Sequence, residues 1–292
     1  EKIGSQDFIF LPESYIAEKS IASRLKVLLK FPPENPIDVA SHISKIEKKH
    51  NIEYAELQKE AIITAVNKGI LILTGGPGTG KTTIQKFLLN IYRRCHKDEL
   101  IECAAPTGKA ARRMEQTTGF ESSTIHKLLN LSANEEGYTE PRSLESRFLL
   151  IDEFSMCDNF LALQLFSSVH PECQIVLIGD ADQLPSVGSG SVLRDLISCG
   201  LIPVVTLDKV YRQSAGSRIA LNARLIRHGN YTLDYGEDFK FYDCDNIADA
   251  QRKLIDLYLS EAKKYGIDEV VILTPMRRRT ITGVNDLNPI IR

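Results

Sequence analysis

The sequence predicts an α/β protein built on a parallel sheet with helices over both faces, and three observations predict it. Short, almost wholly apolar runs recur at 70–73, 100–104, 148–151, 174–178 and 204–207, separated by segments with helical spacing of apolar residues. A strand apolar at every position has both faces buried, which is the condition of a parallel sheet between helix layers. The first of these runs feeds a glycine-rich loop that opens an amphipathic helix. At 292 residues the chain exceeds one typical core, so a second domain or a large addition is expected.

Taken in order, residues 1–50 read as a helical N-terminal segment. Ile16, Ile21, Leu25, Leu28 and Leu29 give 15–29 a broad apolar face, and Pro32-Pro33 ends it. Asn35-Pro36 reads as N-cap and first helical position for a helix over 37–49. A helix over 53–68 follows, stopped by Gly69, then the strand at 70–73. Helices are expected at 84–94, 108–115, 124–129, 159–169 and 191–199, between the later strands. Residues 131–144 are polar and read as a small hairpin insertion or a plain loop. Beyond 207 a second α/β series is expected: helices at 217–228 and 247–264, strands at 239–242 and 269–273. The domain reading is therefore 1–50 helical, 51–206 the main α/β domain, and 207–292 the start of a second unit that the chain ends before completing.

Composition excludes several classes. The formal net charge is −2, so no global basic field marks a polyanion binder and any nucleic-acid site must be local. The six cysteines are scattered without a C-x-x-C pair, which predicts reduced thiols in a cytoplasmic protein rather than disulfides or zinc. No run is long and apolar enough to predict a membrane span.

The chemistry centres on Gly75-Gly76-Pro77-Gly78-Thr79-Gly80-Lys81-Thr82-Thr83. This is G-x-x-x-x-G-K-[ST] in the strand–loop–helix context that gives the pattern meaning. Glycines let successive N–H groups converge on one concavity, and the helix start adds positive potential, so a nucleoside triphosphate such as ATP can be held there. Lys81 supplies a point charge for the β/γ-phosphates, and the Thr82 hydroxyl can ligate Mg²⁺. Asp152-Glu153 closes the apolar strand 148–151; Asp152 can reach the Mg²⁺ shell while Glu153 activates a water. Gln183, in the polar loop after strand 174–178, can orient water or report the γ-phosphate, whereas Asp180 and Asp182 more simply accept from local backbone N–H groups. Arg212, beside Tyr211, suits a transferring phosphoryl group. Thr107-Gly108-Lys109, followed by Arg112-Arg113, sets a hydroxyl, backbone donors and cations at a helix start, where a phosphodiester would be welcome. Thr124-Ile125-His126-Lys127 opens the next helix with more donors, and Met276-Arg277-Arg278-Arg279 forms a local cationic cluster.

The order of these blocks resembles the RecD/TraA-like branch of superfamily 1B DNA helicases. Leu57-Gln58, residues 75–82, 105–111, Thr124-Ile125-His126, Ile151-Asp152-Glu153-Phe154-Ser155-Met156, 179–188 and Val210-Tyr211-Arg212-Gln213 carry the likeness, joined by 273–278 and Gly283-Val284-Asn285. The resemblance implies a RecA-like P-loop NTPase domain followed by an incomplete second RecA-like domain, and ATP-dependent 5′–3′ movement on single-stranded DNA. It assigns Gln58 to adenine, Tyr211 to stacking on the base, Arg212 to the γ-phosphate, and Thr107 and His126 to the DNA backbone. It makes 131–144 a strand-splitting pin. Later family blocks, including a second phosphate-contacting arginine, do not occur in these residues, so the chain reads as an internal fragment that binds ATP but does not unwind alone. An RNA helicase of the same superfamily and a non-enzymatic nucleotide-gated DNA-binding subunit are the competing readings. No separate carboxylate cluster suggests a nuclease; recombination or repair proteins would be partners.

Overall fold

The structure, a computed structural model, describes residues 2–3, 6–7, 9–33, 37–51, 53–76, 78–134, 137–138, 140–207 and 217–291. The chain divides between residues 214 and 215 into two compact units.

The first unit opens with the short pair β1 (Lys2–Ile3) and β2 (Gln6–Asp7), then three helices, α1 (Pro12–Leu28), α2 (Val39–His50) and α3 (Glu56–Asn67). Strand β3 (Ile70–Gly75) leads through the glycine loop to α4 (Lys81–Cys95), and β4 (Ile101–Ala105) leads to α5 (Gly108–Thr118). Next come β5 (Ser123–Thr124), α6 (Ile125–Leu128), and an antiparallel pair, β6 (Ala133–Asn134) with β7 (Gly137–Tyr138). Strand β8 (Phe148–Ile151), a short 3₁₀ turn at Phe154–Met156, α7 (Asn159–Ser168), β9 (Gln174–Gly179), α8 (Val192–Ser198) and β10 (Val204–Leu207) complete it. Within 131–144, which the sequence leaves open between a hairpin insertion and a plain loop, Ala133 stands opposite Tyr138 and Asn134 opposite Gly137.

Six strands form one sheet in the order β10-β3-β9-β8-β4-β5, every neighbouring pair parallel. This is the RecA-like P-loop arrangement. From β3 the chain crosses β9 and β8 to reach β4, so the order reverses beside β3, where α/β sheets bind ligands at their carboxyl ends. Alternate residues of each strand serve opposite cores. Ile70, Ile72, Leu149, Ile151, Ile175 and Leu177 face the core shared with α1, α7 and α8. Leu71, Leu73, Phe148, Leu150, Val176 and Ile178 face the core shared with α2, α3 and α4. Each fully buried aliphatic or aromatic side chain contributes about 1.5–3 kcal/mol, which fixes the register because a one-residue slip would exchange the faces.

The N-terminal helices belong to these layers. Arg24 on α1 donates through Nε to the Phe166 carbonyl at 3.2 Å and through Nη2 to those of Ser167 and Val169, at 3.0 and 3.2 Å. It thereby satisfies carbonyls that the end of α7 leaves unpaired. Helix α2 differs from expectation: its N-cap is Asp38, whose Oδ1 accepts from the Ser41 amide at 3.2 Å. Asn35 and Pro36, expected in that role, lie outside the described residues.

The second unit consists of α9 (Arg218–Arg227), α10 (Ile247–Tyr265) and α11 (Val284–Ile291) with irregular connections. The strands expected at 239–242 and 269–273 are not formed; neither segment finds a ladder partner among the described residues. Instead Asn222 holds the loop after α9, its side chain donating to the Asp234 carbonyl at 2.7 Å and accepting from the Asp234 amide at 2.8 Å. No helix among the described residues is long and apolar enough to cross a membrane, and all six cysteines are free.

Candidate functional site

Three adjacent parallel strands, β3, β9 and β8, end at the same edge of the sheet, with Thr74 level with Gly179 and Ile151 level with Leu177. Strands in a sheet stand about 4.8 Å apart, so residues just past these three ends fall within a few side-chain lengths of one another. Those residues are the glycine loop after β3, Asp180 after β9 and Asp152-Glu153 after β8.

The loop is shaped by residues that only glycine suits. Gly78 and Gly80 sit at φ 80° and 94°, a region L side chains rarely adopt, and Gly80 is the N-cap of α4. The Thr79 hydroxyl donates to the Gly76 carbonyl at 2.9 Å and closes the turn. Lys81 Nζ donates to the Gly76 carbonyl at 3.0 Å and also to that of Gly75. Burial lowers the pKa of Lys81, opposed by the negative charges of Asp180, Glu153 and Asp152.

The carboxylate pair has its own geometry. Asp152 donates its amide to the Ala104 carbonyl at 2.9 Å, and its Oδ1 accepts from the Glu153 amide at 2.9 Å. Glu153 has φ 51° and ψ 36°, left-handed backbone in a residue with a Cβ. Such conformations cost about 1–3 kcal/mol and concentrate at functional sites. Burial raises the Glu153 pKa, the Asp152 charge adds to this, and the cations of Lys81 and Arg113 oppose it. Gly179 permits the close approach of α8 and of the 3₁₀ turn after β8: a Cβ there would lie 2.6 Å from Leu193 Cδ2 and 3.1 Å from the Ser155 amide nitrogen. Asp180 is buried and its Oδ1 accepts from the Asp182 amide at 3.0 Å, the local use expected of it.

A cleft of about 450 Å³ opens at these tips. The structure brings together in its lining Gly76, Gly78, Thr79, Gly80, Lys81, Thr82 and Thr83 from the loop and helix start, Asp152 and Glu153 from β8, and Gln183 from the loop after β9. It adds four residues that sequence reasoning did not place there, Gln85, Met114, Thr117 and Arg113, with Ala110 beside them. The sequence groups Arg113 with the phosphodiester-facing cations; Ala110, Arg113, Met114 and Thr117 fall on one face of α5 and reach this lining together. Gln85 left no such signal.

Other expected residues lie elsewhere. Gln58 is buried in the first turn of α3, where its Oε1 accepts from the Ala55 amide at 3.1 Å, and it does not line the cleft. Thr107 caps α5, accepting from the Ala110 amide at 3.3 Å, with Gly108 and Lys109 exposed beside it. The tip of β5 is level with that of β4, Thr124 opposite Ala105, so α6 starts next to α5; Thr124 caps it at 3.1 Å from the Lys127 amide, and His126 is half-buried there. Pro77, Tyr211, Arg212 and Gln213 lie outside the described residues. No group of three or more His, Cys, Asp or Glu among the described residues is arranged to hold a metal by itself.

A family described as an AAA domain matches residues 58–189. The ATP-dependent RecD2 DNA helicase of Deinococcus radiodurans is 32% identical over 282 residues, covering 96% of this chain and 38% of that protein. The RecBCD enzyme subunit RecD of Haemophilus influenzae is 36% identical over 168 residues, covering 49% of this chain and 26% of that protein. The corresponding subunit of Mycolicibacterium smegmatis is 29% identical, covering 77% of this chain and 43% of that protein. Among solved structures, the Pif1 helicase of Candida albicans aligns with a TM-score of 0.46 at 20% identity, covering 72% of this chain and 54% of that one. The chain spans less than half the length of these curated relatives.

Proposed function

The chain is a homologue of the RecD and RecD2 helicases, and from that premise we propose that it supplies the ATP-binding motor part of a longer DNA helicase that moves 5′ to 3′ on single-stranded DNA. The observation that carries the proposal is the meeting of Lys81, Thr82, Asp152, Glu153 and Gln183 in one cleft at the sheet's switch point.

In this reading the loop amides and Lys81 bind the β/γ-phosphates of ATP. Thr82 and Asp152 offer a hydroxyl and a carboxylate in the same cleft, the hard oxygen ligands that suit Mg²⁺, and they would hold it. When bound, Mg²⁺ supplies neutralisation of phosphate charge. Glu153 takes the proton of the attacking water, and Gln183 orients that water. Arg212 adds transition-state charge, while Tyr211 and Gln58 read the base. The starts of α5 and α6, through Thr107, Gly108, Lys109 and His126, grip the DNA backbone, which implies little sequence preference and salt-dependent binding. Residues 1–50 serve as a helical layer, 51–206 as the first motor domain and 207–292 as the beginning of the second. In this reading the protein works in the cytoplasm, alongside recombination or repair proteins; relatives named as subunits of an enzyme support its having protein partners.

The test is ATP turnover and unwinding by the full-length protein with single-stranded DNA, RNA or no polymer. DNA is expected to stimulate turnover well beyond RNA, and Lys81→Ala to abolish unwinding and lower turnover by on the order of 10²-fold or more. Unwinding retained by Lys81→Ala would remove the proposal, and preferential stimulation by RNA would move it to an RNA track.

A further inference from the structure

Helix α5 carries residues of interest at its start and at its middle. Its N-terminal turn carries Thr107, Gly108 and Lys109, proposed above as a DNA grip, and two turns later the same helix presents Arg113 to the phosphate cleft. Arg113 makes no ion pair among the described residues, and its charge reaches Glu153 across the cleft. Besides Lys81 it is the only cation in the described lining. Gln85, 1% exposed on α4, also lines the cleft, and its buried Oε1 has no hydrogen-bond partner. A guanidinium has five donors, so this acceptor gives Arg113 a second place to dock beside the Glu153 carboxylate.

We propose that Arg113 is a positioning residue that couples the strand-gripping end of α5 to the general base: its guanidinium holds Glu153 in line when α5 is seated on DNA and turns away to the Gln85 Oε1 when α5 is not. The proposal rests on the helicase reading above and goes beyond it, since nothing in that reading requires an arginine on α5 to act in the nucleotide cleft. A rigid helix is a sound carrier for such coupling, because a small shift at one end displaces the other by a similar amount. An alternative in which Arg113 simply anchors ATP predicts a different kinetic signature: loss of a binding contact raises KM, whereas loss of base alignment lowers kcat.

The experiment compares wild type, Arg113→Ala, Arg113→Lys and Gln85→Leu in the full-length protein, measuring kcat and KM for ATP with and without single-stranded DNA. Thermal melting is measured on each to confirm folding. Wild type is expected to show DNA-stimulated turnover. Arg113→Ala should lose at least tenfold in DNA-stimulated kcat with KM changed less than threefold, and Arg113→Lys should recover part of that loss. Gln85→Leu should raise turnover without DNA, narrowing the stimulation ratio. A wild-type protein without DNA stimulation would overturn the helicase reading and this inference together. Normal stimulation in a folded Arg113→Ala, or a defect seen only in KM, would overturn the inference and leave the helicase reading intact.

Discussion

In the first unit, Ile72, Leu73, Leu150 and Val176 are at 0% exposure. In the second, Leu259, Val271 and Leu273 stand at 51%, 75% and 88%, and Leu287 is the one buried apolar side chain among that unit's described residues. Both regions contain apolar runs of strand-like composition, yet only the first turns them into strands. A helix satisfies its hydrogen bonds within itself, so α10 forms although none of its residues is buried. It is helped by Asn246, whose Oδ1 accepts from the amides of Ala248 and Asp249 at 3.0 Å. A strand needs a neighbour to complete its ladder, and residues 239–242 and 269–273 have none among the described residues. The difference between the units is a difference between local and non-local pairing.

That contrast is sharpened most by truncating matched leucines. Leu150→Ala, in the centre of the sheet, should destabilise the first unit by about 2–5 kcal/mol, the range for buried Leu to Ala. Leu259→Ala, half exposed on α10, should stay within about 0.5 kcal/mol. Denaturant melts of both variants check this, and equal losses would mean that the second unit hides a core. A smaller effect is expected at Gly179→Ala, where the added methyl meets Leu193 and the Ser155 amide; about 1–3 kcal/mol is the usual cost of overpacking. Because the strain falls beside Glu153, turnover should fall with stability, and a fully stable, fully active variant would show the contact to be slack. Below the Gly179 effect comes Asn222→Ala in the second unit, about 1 kcal/mol, since it removes two hydrogen bonds to Asp234. Amide exchange at Asp234 should accelerate while the sheet's protection stays unchanged, and a global loss of protection would break the division into two units.

How far the sequence could be read follows the same line. Runs at 70–73, 148–151 and 174–178 are apolar at both faces, so their strands and the parallel sheet were legible, and the glycine loop located its edge. The convergence of Lys81, Asp152, Glu153 and Gln183 was legible too, because each follows such a run. Arg113 lines the cleft although the sequence groups it with the phosphodiester-facing cations: a cation near a helix start reads equally as a phosphodiester or a triphosphate contact until the helix face is fixed. Gln85 was invisible, since a polar residue inside an amphipathic helix gives no hint that a second helix will cover it. The cap at Asp38 was overlooked for Asn35-Pro36, two turn formers whose local signal outweighed the better-placed carboxylate.

The central claim is that the tips of β3, β8 and β9 surround one triphosphate. Hydrogen exchange on residues 1–292 with Mg²⁺ and a non-hydrolysable ATP analogue tests it most directly. Added protection is expected at 75–83, 152–153 and 180–183 together, and it should vanish in Lys81→Ala. Protection confined to the glycine loop, or appearing in the second unit instead, would contradict the account.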